Sequence, residues 1–194
     1  MKSVKVYVEG PSDMAAMTQL LAPLIERKLQ QGVHIGFFEA PPGVKKASVI
    51  RKVPERAALI LANEPDTIVI VMPDLYPLNK EVPHEDPAQL ANAIQSEFDR
   101  ALKRHRMADD RRYRDRFRAF CFKCDLEALV LAAEEALALR LDVGELKVTW
   151  HKPVEDQNKD KPPKYVLREL FDQHGIHYLE TVDGPLILGL SDYH

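Results

Sequence analysis

Cysteine is scarce: 194 residues carry two thiols, Cys121 and Cys124. That is too few for a disulfide framework. Basic excess is missing as well. Acidic side chains slightly outnumber lysine and arginine, for a formal net charge of -3. A dedicated nucleic-acid binder is usually strongly basic, so binding of that kind would have to come from local clustering. No apolar run reaches the roughly 18 residues of a membrane-spanning helix. The N-terminal MKSVKVYVEG alternates and meets charge at Glu9, unlike a secretion signal. These absences predict a cytoplasmic protein with no membrane contact. No G-x-x-x-x-G-K-[ST] is present, which excludes ATP hydrolysis through a P-loop in this chain. The glycine-rich dinucleotide fingerprint and the G-x-S-x-G elbow are missing too.

What is present is enough apolar residue to build a core: 45% of the chain, with 29% charged. Val4, Val6 and Val8 alternate with Lys5 and Tyr7, the period of a strand. Ser12 is placed to cap a helix in which Met14, Met17, Leu21, Leu24 and Ile25 recur at helical spacing, with Pro23 bending it. Val33 to Phe38 reads as a second strand, and a helix over 47–62 is interrupted near Pro54. Ile68 to Met72 is continuously apolar, which predicts a strand buried on both faces. An amphipathic helix over 88–104, a fourth strand over 117–122, a long helix over 125–141 and a last helix from Pro163 follow. Alternation of strand and helix predicts α/β layering around a mainly parallel sheet.

Two carboxylates sit where such a sheet binds ligands, beyond the carboxyl ends of its strands. Glu9 closes the first strand, and Gly10 lets the chain turn beside it. Asp74 closes the third, after Pro73. If those strands are neighbours, both acids face one crevice. Converging carboxylates make a hard-oxygen site suited to Mg²⁺ or Mn²⁺, and an ion there could clamp phosphate oxygens. Acids at strand ends also cap helices, and Asp13 near a helix N-terminus needs no function beyond that.

The motif VEGPSD after a first strand, followed by an apolar strand closing in an acid, resembles the Toprim domain of topoisomerases, primases and OLD-type nucleases. More narrowly, the chain is similar over nearly its whole length to a Toprim-like bacterial group, domain-of-unknown-function family 4276. The matching segments are EGPSD (9–13), DLYPLN (74–79), KCDLEALVL (123–131) and DGPLILGL (183–190), in the family's order. The resemblance implies a single Toprim-like, Rossmann-like three-layer α/β domain with a short, largely parallel sheet flanked by helices. Its core would span about 1–122 and its helical C-terminal part 123–194. It implies that Glu9 is a catalytic acid/base or metal ligand and Asp74 the main ligand of Mg²⁺ or Mn²⁺, with Asp13 and Glu127 as supporting acids. It further implies a nuclease or other phosphodiester-acting enzyme, used in defence against phage or other foreign nucleic acid and served by a separate ATPase partner.

Two departures from the family's motifs weaken metal catalysis, and the first favours an alternative, a catalytically silent module that docks a partner protein. The family's second aspartate after the third strand is Tyr76 here, a poor Mg²⁺ ligand at neutral pH. The usual His-Glu of the fourth motif is Lys123-Cys124, leaving Asp125 and Glu127 as the acids. For Glu127, a first-turn helix acid favoured by the dipole is an equal reading.

The strongest charge cluster runs from Arg100 to Arg118. Arg104, Arg106, Arg111, Arg112 and Arg114 could hold backbone phosphates. They could equally form a solvated helix end, neutralised in part by Asp109, Asp110 and Asp115. Lys45, Lys46, Arg51 and Lys52 either approach the crevice or line an exposed helix start. Cys121-x-x-Cys124 with His174 and His177 has zinc-ligand residue types, but Cys121 lies in an apolar strand where buried cysteine is common.

Overall fold

The computed structural model describes residues 1–43, 45–75, 82, 84–121, 125–147, 149–159 and 161–191. In chain order these form β1 (Lys2–Val8), α1 (Pro11–Leu20), α2 (Ala22–Gln30), β2 (Val33–Glu39), α3 (Lys45–Ala47), a π-helical turn (Ser48–Lys52) and α4 (Val53–Asn63). Then follow β3 (Thr67–Val71), α5 (Pro87–Arg104), α6 (Arg111–Asp115), β4 (Phe117–Ala119), α7 (Leu126–Ala132) and α8 (Glu134–Arg140). A 3-10 turn (Val154–Lys159), α9 (Pro163–Gln173) and α10 (Asp183–Leu190) complete the order. Among the described residues no helix is long and apolar enough to cross a membrane.

The chain divides into two compact units. One comprises Met1–Gly10 and Leu24–Lys123, the other Pro11–Pro23 and Cys124–His194. The sequence reading draws its line near residue 122 and leaves α1 with the sheet. Packing assigns α1 elsewhere: Ala16 is fully buried in the core of the second unit, and a side chain at Gly189 of α10 would press on Gln19 at 3.3 Å.

The first unit is α/β, with a four-stranded, all-parallel sheet in the order β2-β1-β3-β4 flanked by helices. Register places Lys5 beside Val69 and Phe117, and Tyr7 beside Val71 and Ala119, on one face. The helices of 45–63 and α5 pack there. Leu90, Ile94, Phe98, Ala101 and Leu102 repeat at helical spacing along α5 and are all buried. Phe98 stacks on Phe117 with ring centroids 3.9 Å apart and planes 9° from parallel. Val6 and Val8 turn to the opposite face and are buried as well. The apolar run of β3 is less enclosed than it reads, since Ile68 is 39% exposed at the strand's start.

The second unit packs α1, α7, α8, α9 and α10 around Val130, Leu131, Leu137, Leu167, Leu170, Phe171 and Ile187. Asp183 is buried at the start of α10, where it pairs with Arg140 at 2.7 Å and accepts the Leu179 N–H at 2.7 Å.

Three helix boundaries depart from the sequence reading, and β4 ends at Ala119 instead of continuing through Phe120 and Cys121. The first helix starts at Pro11, so Ser12 lies inside its first turn instead of capping it. Proline suits that position because its missing N–H would have no helical partner. Pro23, which the periodicity reads as a bend, instead sits at the start of the separate helix α2. The expected helix over 125–141 is two helices, broken at Ala133 (φ -85°, ψ 55°). A continuous helix would carry Glu134 on the same stripe as the buried Glu127, Val130, Leu131, Leu137 and Leu141. The break puts Glu134 in the first turn of α8, where the helix dipole favours it and Lys152 reaches it at 2.8 Å.

Candidate functional site

From β1 the chain crosses to β2 on one side, and β3 then pairs with β1 on the other. In an open parallel sheet this reversal is the topological switch point, and connections leaving in opposite directions open a crevice at the carboxyl ends. The sheet's own hydrogen bonds run to that edge: Met72 N–H donates to Tyr7 O at 2.8 Å, and Phe120 N–H to Val71 O at 2.8 Å. Glu9 and Asp74, both half-buried, flank the switch point. The Asp74 N–H donates to Glu9 Oε1 at 3.3 Å. The two acids singled out from the sequence are therefore neighbours.

Two residues from other elements join them. Lys46 arrives on α3, just beyond the carboxyl end of β2. It is only 7% exposed, and its Nζ donates to Leu75 O at 2.7 Å. His84, 3% exposed, also faces that carbonyl, with Nε2 at 3.3 Å, while Nδ1 lies 2.6 Å from Val82 O. Carbonyl oxygens only accept, so a neutral ring donates to one of the two and the tautomer decides which. Leu75, next to Asp74, is thus held by Lys46 and faced by His84.

Cys121, just beyond β4, reports the charge around it. Burial pushes its thiol up from the ordinary 9.0 to about 11; Lys46 acts against that shift, and Asp74 and Glu9 add to it. Lys46, Asp74 and Glu9 thus each lie within electrostatic range of this half-buried thiol at the carboxyl edge of the sheet.

Among the described residues no group of three or more His, Cys, Asp or Glu side chains converges in a way that could hold a metal ion. Two carboxylates alone still match how Mg²⁺ is commonly bound, by one or two carboxylates, retained waters and the phosphates of a substrate. Glu9 and Asp74 have the hard oxygens for that role. Tyr76, at the position of the family's second acid, lies outside the described residues, as do Lys123 and Cys124.

Asp13 and Glu127 belong to the second unit. Glu127 is 7% exposed, and burial holds its carboxyl above the usual range. Its own N–H and then Lys164 act in the other direction, while Asp125 and Asp13 add smaller upward pushes. Tyr178 in the same core is pushed further up by burial, then by Glu127, and its hydroxyl has no hydrogen-bond partner among the described residues.

The arginine segment is largely occupied with its own acids. Arg104 pairs with Glu55, Arg114 Nε with Asp99 at 2.8 Å, and Arg112 forks onto Asp110 through Nε at 3.0 Å and Nη2 at 2.8 Å. Arg111 lies a loose 3.8 Å from Asp115, and Arg106 is exposed. Arg116 does something the composition does not show: its guanidinium binds Leu61 O, Glu64 O and Thr67 O at 2.9, 2.8 and 3.2 Å, closing the carboxyl end of α4. Of the zinc-type residues, His174 Nδ1 is engaged by Leu170 O at 2.9 Å, and His177 faces Asp172 at 3.9 Å.

Of the residues now seen at the crevice, His84 had no signal in the sequence beyond its place in a proline-rich acidic loop. Lys46 was one of four basic residues with nothing to distinguish it.

Among solved structures, the C-terminal region of the Xanthomonas campestris pv. campestris OLD protein is similar at 11% identity, over 97% of this chain and 82% of that one, with a TM-score of 0.35. That likeness is too loose to transfer a site. No curated protein matches. The model of the family described as Domain of unknown function (DUF4276) matches residues 8–194, nearly the whole chain, and the chain belongs to that family.

Proposed function

We propose that this protein is a Toprim-like, Mg²⁺- or Mn²⁺-dependent enzyme acting on phosphodiesters, a nuclease in the simplest form. The observation that carries the reading is the pairing of β1 with β3, which brings Glu9 and Asp74 together at the switch point with the Asp74 N–H on Glu9 Oε1. Asp74 would be the main metal ligand, with Glu9 sharing the ion or acting as general acid/base. A divalent ion bound there would neutralise charge on a reacting phosphate. Glu9 can take a proton from an attacking water or return one to the departing oxygen, and Asp74, anchored through its own amide, keeps its place beside it. Arg106 and Arg111, exposed or only loosely paired, are the arginines that could touch a nucleic-acid backbone. A role against foreign nucleic acid, with a separate ATPase chain, rests on the family resemblance alone.

The test has two steps. Mn²⁺ should raise the melting temperature of the wild type and leave Glu9→Gln and Asp74→Asn unmoved. Wild type should then cleave single- or double-stranded DNA or RNA in Mn²⁺, and both variants should lose that cleavage. A wild type indifferent to Mn²⁺ and Mg²⁺ sinks the reading.

Tyr76, in place of the family's second acid, favours a second reading, a silent module in which the crevice docks a partner protein. A metal-dependent shift with no cleavage of any of the four substrates would support that reading over the first.

A further inference from the structure

A buried ammonium is expensive unless charge of the opposite sign surrounds it. Lys46 is only 7% exposed. Its Nζ is tied to Leu75 O, one residue from Asp74, and Asp74 is tied in turn to Glu9. Lys46 therefore turns inward to the residue after Asp74 instead of pointing outward from the helix start. Lys52, on the same helical run, shows the ordinary alternative: it is exposed and donates to Pro42 O at 2.5 Å.

The consequence is electrostatic. One ammonium near two carboxylates offsets part of their negative charge. With a divalent ion bound, the crevice is one charge more positive with Lys46 than without it, which favours a phosphodiester. Without Lys46 the empty crevice would be one charge more negative and grip a divalent ion harder. The loaded crevice would then draw an anion less. One side chain sets both affinities in opposite directions.

We propose that Lys46 is a built-in monovalent cation of the crevice, which weakens its hold on a divalent ion and makes the loaded site more positive to receive a phosphodiester. The proposal rests on the metal-dependent reading of Glu9 and Asp74. Lys46→Gln removes the charge and keeps an N–H donor for Leu75 O; Lys46→Met stands in where the glutamine variant does not fold by circular dichroism. Lys46→Arg keeps the charge. Mn²⁺ binding is followed by the loss of the free-ion paramagnetic signal, and anion binding by the anisotropy of fluorescein-labelled oligothymidylate in saturating Mn²⁺. For the charge-removed variant the expected result is Mn²⁺ bound on the order of tenfold tighter and oligothymidylate on the order of tenfold weaker, with the arginine variant close to wild type in both. A purely structural lysine would weaken both together or change neither, and either result in a folded variant overturns the proposal. If wild type binds Mn²⁺ and the charge-removed variant binds it equally, only the role of Lys46 falls. If neither takes up Mn²⁺, the metal reading of Glu9 and Asp74 falls first and this proposal with it.

Discussion

The backbone N–H of Asp74 points at the side-chain oxygen of Glu9, 3.3 Å away and 65 residues distant in the chain. Each acid follows a strand, and the strands are bonded to each other, so the contact is a product of sheet pairing and not of any local motif. It also means that Glu9 has a structural task beside its chemical one.

That task is small and replaceable. Glutamine keeps a side-chain oxygen at the same reach, so Glu9→Gln should unfold within about 1 kcal/mol of wild type in the absence of metal. Glu9→Ala leaves the Asp74 N–H to find water and should lose about 1 kcal/mol more than the glutamine variant. Urea denaturation in a chelating buffer measures both. A large loss in Glu9→Gln would mean that the proposed metal test reads folding instead of binding.

Arg116 should matter more to stability than any arginine near it. Its guanidinium serves the carbonyls of Leu61, Glu64 and Thr67, tying the end of α4 to the start of β3, and Leu61 O lies in the last helical turn, where C=O groups lack a helical donor. Arg116→Met keeps much of the stem and removes the donors, and should cost about 2–4 kcal/mol by urea midpoint. Arg112→Met, which breaks only an exposed fork onto Asp110, should leave the urea midpoint near that of wild type.

Glu127 makes stability depend on pH in a defined direction. Its folded carboxyl is held above the ordinary 4.5, chiefly by burial. Below 4.5 both states are protonated and the group contributes no penalty. As pH rises from 4.5 through the folded value, the unfolded chain gives up its proton first, and the folded state loses ground. Glu127→Gln removes that loss. The stability of the variant relative to wild type should therefore increase as pH rises from 4 to 7. A gap that closes toward neutrality, in paired urea melts, contradicts the assignment.

Cys121 should be a slow nucleophile. Raising a thiol from 9.0 to about 11 cuts the thiolate at neutral pH about a hundredfold. A more basic thiolate attacks faster, with a Brønsted slope of about 0.4–0.5, so the net rate should fall about tenfold. Iodoacetamide labelling of a Cys124→Ser variant at pH 7.5, against a free cysteine peptide, measures it. Labelling as fast as the peptide would contradict a buried thiol beside two acids.

Much of the scaffold was legible in the chain. Alternating valines around Lys5 and Tyr7 and the apolar stretch before Pro73 produced strands where expected, because strand periodicity is a local property of sequence. The stripe from Leu90 to Leu102 announced the buried face of α5 for the same reason. The break at Ala133 was not legible. Residues 125–141 are good helix formers throughout, and what interrupts them is the choice of which side to bury. The arginine segment was legible as charge but not as pairing, since Glu55 and Asp99 reach Arg104 and Arg114 from distant positions.

The sequence by itself determined that the chain alternates strand and helix and ends two strands in acids, since hydrophobic period and turn chemistry act over a few residues. Only the tertiary structure decided that β1 lies beside β3, that Lys46 is buried with its ammonium on Leu75 O, and that α1 belongs to the helical core. Those outcomes depend on burial and on charges meeting across long loops, and a side chain's neighbours in space are not written in its neighbours along the chain.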